Sequence, residues 1–196
     1  MPRAGEQLYS VLVAAGSETA GARLSAILPE NRFRPVRRVG SGNEARRLLI
    51  DMPFDLVLLN APLPDTFGPE LAREIAADPR RGVLLLVPAD AFDSACDAVE
   101  DAGVLTLAKP TAPQAVYQAM RLLVATRARL SAMEKKAETL AAKMEEIRVV
   151  NRAKWILIAQ FQMDEAAAHR YIEKQAMDTH RTRREVAQGI LMAYEP

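Results

Sequence analysis

The chain has 196 residues, of which 49% are hydrophobic and 26% charged, with a formal net charge of +1. That length holds one large domain or two small ones. A single cysteine, Cys96, excludes an intramolecular disulfide and suits a reducing compartment. No apolar run of about 18 residues could cross a bilayer and no N-terminal stretch reads as a signal peptide, so a soluble cytoplasmic protein without membrane contact is expected. The near-neutral balance hides an asymmetry. Residues 1–120 carry 12 Lys/Arg against 15 Asp/Glu, whereas residues 121–196 carry 14 against 10 together with both histidines. A nucleic-acid-binding C-terminal part is compatible with that excess but not demanded by it.

In chain order, residues 9–14 form a short apolar run, and Ser17 precedes a helical pattern with Leu24, Ile27 and Leu28 on one face. Residues 33–39 read as a second strand, with Arg32, Arg34, Arg37 and Arg38 as a solvated basic edge. Ser41 and Glu44 have capping-box spacing and open a helix through Leu48 and Leu49. Residues 56–59 and 83–87 are fully apolar strands. Helices are expected over 69–77 and 92–101, and a last strand over 104–107. Pro113 sits just inside the next helix, where its missing N–H costs nothing. Strands that are apolar throughout and alternate with helices predict an α/β fold, a five-stranded doubly wound parallel sheet covered on both faces.

Between residues 114 and 195 there is no proline, and the first glycine is Gly189. Leu123, Thr126, Leu130, Met133, Ala137, Leu140, Met144 and Ile147 recur at spacings of three and four, a heptad seam that predicts a coiled-coil homodimer. The charges beside it (Arg129, Lys136, Lys143, Arg148) are positive and do little for pairing specificity. This helix is expected to run through Trp155 to about Gln160. Asp164 then caps a helix reaching Met177, and Thr182 with Glu185 forms a second capping box, opening a helix that buries Val186, Ala187, Ile190 and Leu191. Trp155, Phe161 and Tyr171 are expected to pack the small core of these three helices. The expected domains are 1–121, a linker helix over 122–150, and 151–196.

The strand ending on Asn60, the following Pro62, Pro64 and Gly68, and the late Lys109-Pro110 fall in an order that resembles a response-regulator receiver domain. The resemblance places the metal-binding acidic pair on Ala15 and Gly16, the phosphoacceptor on Asn60, the hydroxyl position on Pro88 and the fifth-strand aromatic on Thr106; only Lys109 and Pro110 survive. It therefore implies a receiver fold without phosphorylation chemistry. Ala153-Lys154, Asp164-Glu165-Ala166, Ala176-Met177 and Val186-Ala187 resemble the ANTAR domain, an RNA-binding antiterminator module, with Trp155 standing where that family has glycine. Together the order resembles the ANTAR-domain response regulators of the AmiR/NasT type. The resemblance implies a dimeric transcription antiterminator that grips paired stem-loops in a leader mRNA and answers to a ligand-sensing regulatory protein. The RNA-contact candidates are Arg152, Lys154, Arg170, Lys174, Arg181, Arg183 and Arg184, with His169 and His180 as weaker additions.

Nothing in the sequence suggests an enzyme. There is no phosphate-binding glycine loop, and the two histidines lack a metal-ligand pattern, so no cofactor or metal is expected. Two other readings stay open. One is a DNA-binding response regulator using the terminal helices as a helix-turn-helix, against which residues 178–183 lack a glycine-bearing turn. The other is a protein-interaction module that never touches nucleic acid.

Overall fold

The computed structural model describes residues 7–194; the first six and last two residues of the expected domains lie outside it. The chain divides into two compact units between Ser131 and Ala132.

The first unit holds β1 (Tyr9–Ala15), α1 (Glu18–Ala26), β2 (Phe33–Val39), α2 (Gly42–Asp51), β3 (Leu56–Asn60), α3 (Pro69–Ala76), β4 (Gly82–Pro88), α4 (Phe92–Val99), β5 (Leu105–Lys109) and the start of α5 (Pro113–Phe161). All strand pairs are parallel, in the order β2-β1-β3-β4-β5. Because successive side chains of a strand point to opposite faces, the apolar runs divide between two cores. Leu12, Val57, Leu59, Leu85 and Val87 pack against Leu49, Leu71, Ile75 and Val99 from α2, α3 and α4. Val11, Val13, Leu56, Leu58, Leu84 and Leu86 pack against Leu28, Val116, Met120, Leu123 and Val124, near α1 and on α5. Leu123 is thus consumed by the first unit's own core and is not available to the dimer seam, a correction to the sequence reading. The expected helix over 92–101 is α-helical only to Val99 and tightens into a 3₁₀ turn over Glu100–Ala102.

The capping signals act at the expected places with one variation. Ser41 Oγ accepts from Glu44 N at 3.2 Å, but the Glu44 carboxylate reaches back to Gly40 N at 2.7 Å, one residue before the cap. The two N–H groups next in line, on Gly42 and Asn43, donate at 2.8 Å each to the carboxylate of Asp65, in the loop after β3. Those bonds hold the Asp65 carboxyl below its ordinary range. They also tie the β3–α3 loop to the start of α2.

At the other end of the sheet Asp55 anchors α5. Its carboxylate accepts from Ser10 N and Ser10 Oγ at 2.8 Å each and from Arg127 Nη1 at 3.0 Å. Gly82 lets the helix approach, since a Cβ there would lie 3.3 Å from Leu123 Cβ and 2.7 Å from Leu56 Cδ2.

The second unit comprises the rest of α5, α6 (Glu165–Thr179) and α7 (Arg183–Tyr194). Its core is small: Ala153, Leu157, Ala168, Ile172 and Ala187, edged by Val149, Val150, Ile158, Ile190 and Leu191. Alanines at the crossings let the helices pack closely. Asp164 Oδ1 accepts from Ala167 N at 2.6 Å, and Thr182 and Glu185 exchange backbone-to-side-chain bonds at 3.2 and 2.8 Å. The α6–α7 turn does exist without glycine. His180 adopts φ +54, and Arg181 N and His180 N close onto Ala176 O and Met177 O. The absence of glycine therefore gives no argument against a tight turn here, which corrects the sequence reading.

Burial works against the charged form of Asp55, but the Ser10 N–H, the Ser10 hydroxyl and the Arg127 guanidinium together hold its carboxyl below the ordinary value of 3.8. A depressed carboxylate stabilises the fold above its unfolded pKa, and that contribution disappears as pH falls through the folded value. We expect Asp55→Asn to cost about 2 kcal/mol near neutrality. The gap from wild type should narrow once pH drops below about 4, as measured by denaturant unfolding across pH 3–7.

Candidate nucleic-acid interface and the remnant receiver site

The parallel register brings the expected receiver positions together at the carboxyl ends of the strands, where doubly wound sheets place ligands. Ala15 pairs with Asn60, and Pro88 with Lys109. Lys109 Nζ donates to Asn60 Oδ1 at 3.1 Å and to the Ala61 carbonyl oxygen. Burial pushes its ammonium below the usual lysine value. The lysine thus bonds to an amide and a backbone carbonyl rather than to a carboxylate.

The space beside Asn60 is altered as well as its chemistry. Ala15 is buried, and a Cβ on Gly16 would lie 3.3 Å from Pro64 Cδ, so an acidic side chain starting there would press on the proline ring. Asp65, in the same loop, has both carboxylate oxygens engaged with the α2 backbone. Phosphoryl transfer needs an oxygen nucleophile and a hard cation held by oxygen ligands. Ala15, Gly16, Asn60 and Pro88 supply no carboxylate, and among the described residues no cluster of His, Cys, Asp and Glu could hold a metal ion.

In the second unit the predicted cations separate into two sets. Lys154 is the least accessible, its side chain 14% exposed and its Nζ 3.0 Å from Glu165 Oε1 in the first turn of α6. Arg183 lies 3.4 Å from Glu146 Oε1 and 3.7 Å from Glu173 Oε1, bridging all three helices. Both charges brace the fold. Arg170 and Lys174 stand one turn apart on α6, on the side away from buried Ala168, Ile172 and Ala176. Arg181 and Arg184 are exposed in and just after the α6–α7 turn. Among the described residues these four form no ion pair within 4 Å. Arg152 is exposed one turn before Trp155. His169 faces Glu173 at 3.3 Å, and His180 Nδ1 lies 3.0 Å from Met177 O, so both rings have local roles.

The aromatic expectations fail. Trp155 is 70% exposed, and Phe161 and Tyr171 are partly open at 48% and 40%, with Phe161 meeting Tyr194 edge-on at 5.5 Å between ring centroids. The alanine-rich crossings explain this, because helices packed through Ala153, Ala168 and Ala187 leave no gap for a large ring. The sequence reading missed the outward Met177 and Met192, and it treated Lys154 as a contact when spacing alone could not reveal its partner across the turn. Beyond Leu123, the seam residues Leu130, Met133, Leu140, Met144 and Ile147 are 46–61% exposed. Among the described residues no helix is long and apolar enough to cross a membrane.

Comparison with known proteins agrees with both halves of this geometry. Residues 138–191 match the family model of the ANTAR domain. Over 182 residues, 92% of this chain and 88% of the relative, the sequence is 29% identical to the transcriptional regulatory protein PdtaR of Mycobacterium tuberculosis. A response regulator receiver domain protein from Clostridium thermocellum superposes with a TM-score of 0.57 at 22% identity, covering 63% of this chain and 99% of that one. A putative response regulator from Chloroflexus aurantiacus gives 0.53 at 25% identity over 61% and 99%. The chain thus places a five-stranded receiver-like fold ahead of a segment that matches the ANTAR domain, and over most of its length it is similar to a transcriptional regulatory protein.

Proposed function

We propose that this chain is an ANTAR-type response regulator, a dimeric RNA-binding antiterminator acting on stem-loops in leader transcripts, governed by a partner protein or ligand and not by receiver phosphorylation. The observation that carries the reading is the ANTAR match over a helical unit whose Arg170, Lys174, Arg181 and Arg184 are exposed and form no ion pair within 4 Å among the described residues, next to a heptad seam that is open. Sequence-specific RNA recognition targets the unstacked bases of loops. Two modest sites held together by a coiled coil gain avidity through effective concentration, which suits a paired stem-loop target. Engagement of such a pair would displace a competing terminator hairpin. The chain's role is then regulatory rather than enzymatic. Binding of duplex DNA through α6 and α7 is the second reading, favoured by the tight turn at His180.

The dimer follows from the seam. Leu140→Glu with Met144→Glu is expected to turn a dimer into a monomer in sedimentation equilibrium. Affinity for a tandem stem-loop RNA should fall roughly 10²-fold while affinity for a single hairpin holds. Equal loss on both RNAs would show that the seam does not act through avidity.

The outward cations are expected to set the salt dependence. Arg170→Ala with Lys174→Ala should make the slope of log K against log salt shallower by about one to two, with duplex DNA of equal length as the control. Lys154→Ala should act mainly through stability, lowering the melting temperature while leaving that slope unchanged.

Phosphorylation is expected to fail even after partial repair. Neither the wild-type chain nor Asn60→Asp should take up label from a small phosphodonor, because the cation ligands are missing and Pro64 crowds Gly16. Stoichiometric labelling of the wild type would overturn control by a partner alone.

A further inference from the structure

The outward tryptophan is the feature that the fold leaves without a task. Trp155 sits on α5 two residues from Ala153 and two from Leu157, both buried. At 3.6 residues per turn that places it about 160° round the helix from each, facing away from the unit's own core. An indole in the middle of a helix is among the most costly side chains to leave in water, and no core cavity required it here. Its neighbours one turn away, Asn151, Arg152 and Ala159, are exposed, and Ala159 is too small to cover the ring. Arg148, two turns back, is exposed as well, its Nη1 3.9 Å from Glu145 Oε2 at the surface. From residue 147 to residue 163 the chain contains no carboxylate, while Arg148, Arg152 and Lys154 lie within it.

A second copy of the chain is the first occupant to consider, since Trp155 follows the heptad seam in sequence. The seam does not reach it. Its next core positions after Ile147 would be 151, 154 and 158. Asn151 is polar, Lys154 is turned to Glu165, and Ile158 packs against the core of its own unit. Dimer contact through the seam therefore ends near Ile147, and the indole lies beyond it. What remains is an open aromatic face on a helix stretch whose own residues carry only positive charge, with the exposed Arg148 held no closer than 3.9 Å to Glu145. Such a face matches a ligand that offers a flat π-face beside negative charge. An unpaired nucleotide has both.

We propose that Trp155 is a stacking platform for an unpaired RNA base, with the exposed Arg148 on the same face of the helix to meet a flanking phosphate. The proposal rests on the RNA-binding reading and adds to it a residue that specifies single-stranded nucleotides over duplex. It also gives a reason for the departure from glycine at this position, since the ring adds a contact without altering the buried face of the helix.

Trp155 is the chain's one tryptophan, so its fluorescence reports on this position alone. The full-length protein would be titrated with a tandem stem-loop RNA selected from a pool with randomised loops, with a fully paired RNA duplex, and with heparin. Saturable quenching by the stem-loop RNA, absent with duplex and heparin at equal occupancy, is the expected result. Trp155→Leu should weaken stem-loop binding about 5- to 150-fold, with Trp155→Phe intermediate. Both variants should keep the wild-type oligomeric state and melting temperature. Stem-loop binding with unchanged fluorescence and full affinity in Trp155→Leu would overturn the stacking role and leave the RNA reading standing. Conversion of Trp155→Leu to a monomer would reassign the indole to the dimer interface. If no RNA in the pool survives heparin competition, both readings fall together.

Discussion

One helix has to satisfy three different surroundings. α5 runs unbroken for 49 residues from Pro113 to Phe161. Its first turns bury Val116, Met120, Leu123 and Val124 against the sheet, and its last bury Ala153 and Leu157 against α6 and α7. Between them Leu130 to Ile147 form an apolar stripe that neither unit covers. No proline or glycine interrupts residues 114–161, so every turn keeps its backbone hydrogen bonds while the buried face changes. The polar tie of Arg127 to Asp55, with Gly82 beneath the helix, lies near where the helix leaves the sheet. Such a helix gives no amphipathic signal averaged along its length. The signal is local, and each stretch identifies its own partner surface.

The receiver-like unit shows how a fold outlasts its chemistry. The strands still deliver Ala15, Asn60, Pro88 and Lys109 to one end of the sheet, because that convergence depends on parallel register and on apolar runs buried on both faces. The groups delivered have changed in a mutually consistent way. With no anion to meet, Lys109 bonds to Asn60 and the Ala61 carbonyl, and a partly buried ammonium without acceptors would be costly. Pro64 occupies the neighbourhood of Gly16, and Asp65 serves as a cap for α2. An amide at position 60 suits this network because its Oδ1 accepts a hydrogen bond from the Lys109 ammonium.

What was legible in the sequence follows the range of the interaction. Strands, helices, the parallel sheet and the caps at Ser41, Asp164 and Thr182 depend on residues within a few positions of one another, and they formed near the places read, with Glu44 closing on Gly40 and the 92–101 helix ending early at Val99. Asp65 capping α2 from more than 20 residues away, and Lys154 meeting Glu165 across a turn, depend on tertiary placement that no local pattern encodes. His180 in a left-handed turn was hidden because glycine is the usual signal for that conformation. Trp155 was misread by size: a large apolar ring suggests a core, whereas helices crossing through alanines have no room for one. Leu123 fitted the heptad, but the sheet claimed it first.

The charge balance of the second unit constrains how it could hold RNA. Residues 132–196 contain 11 Lys/Arg and 10 Asp/Glu, so most of the C-terminal excess comes from Arg121, Arg127 and Arg129, before that unit begins. A nearly neutral helical unit has little long-range pull on a polyanion. Several of its cations are also spent internally, Lys154 on Glu165 and Arg183 on Glu146 and Glu173. Affinity would then have to come from short-range terms: a few outward cations placed against particular phosphates, bases stacked on exposed rings, and the tethering of two units. Recognition of that kind discriminates by shape and unpaired bases more than by charge density. A weakly charged surface beside an open heptad seam is thus consistent with the proposed binding of one structured RNA target.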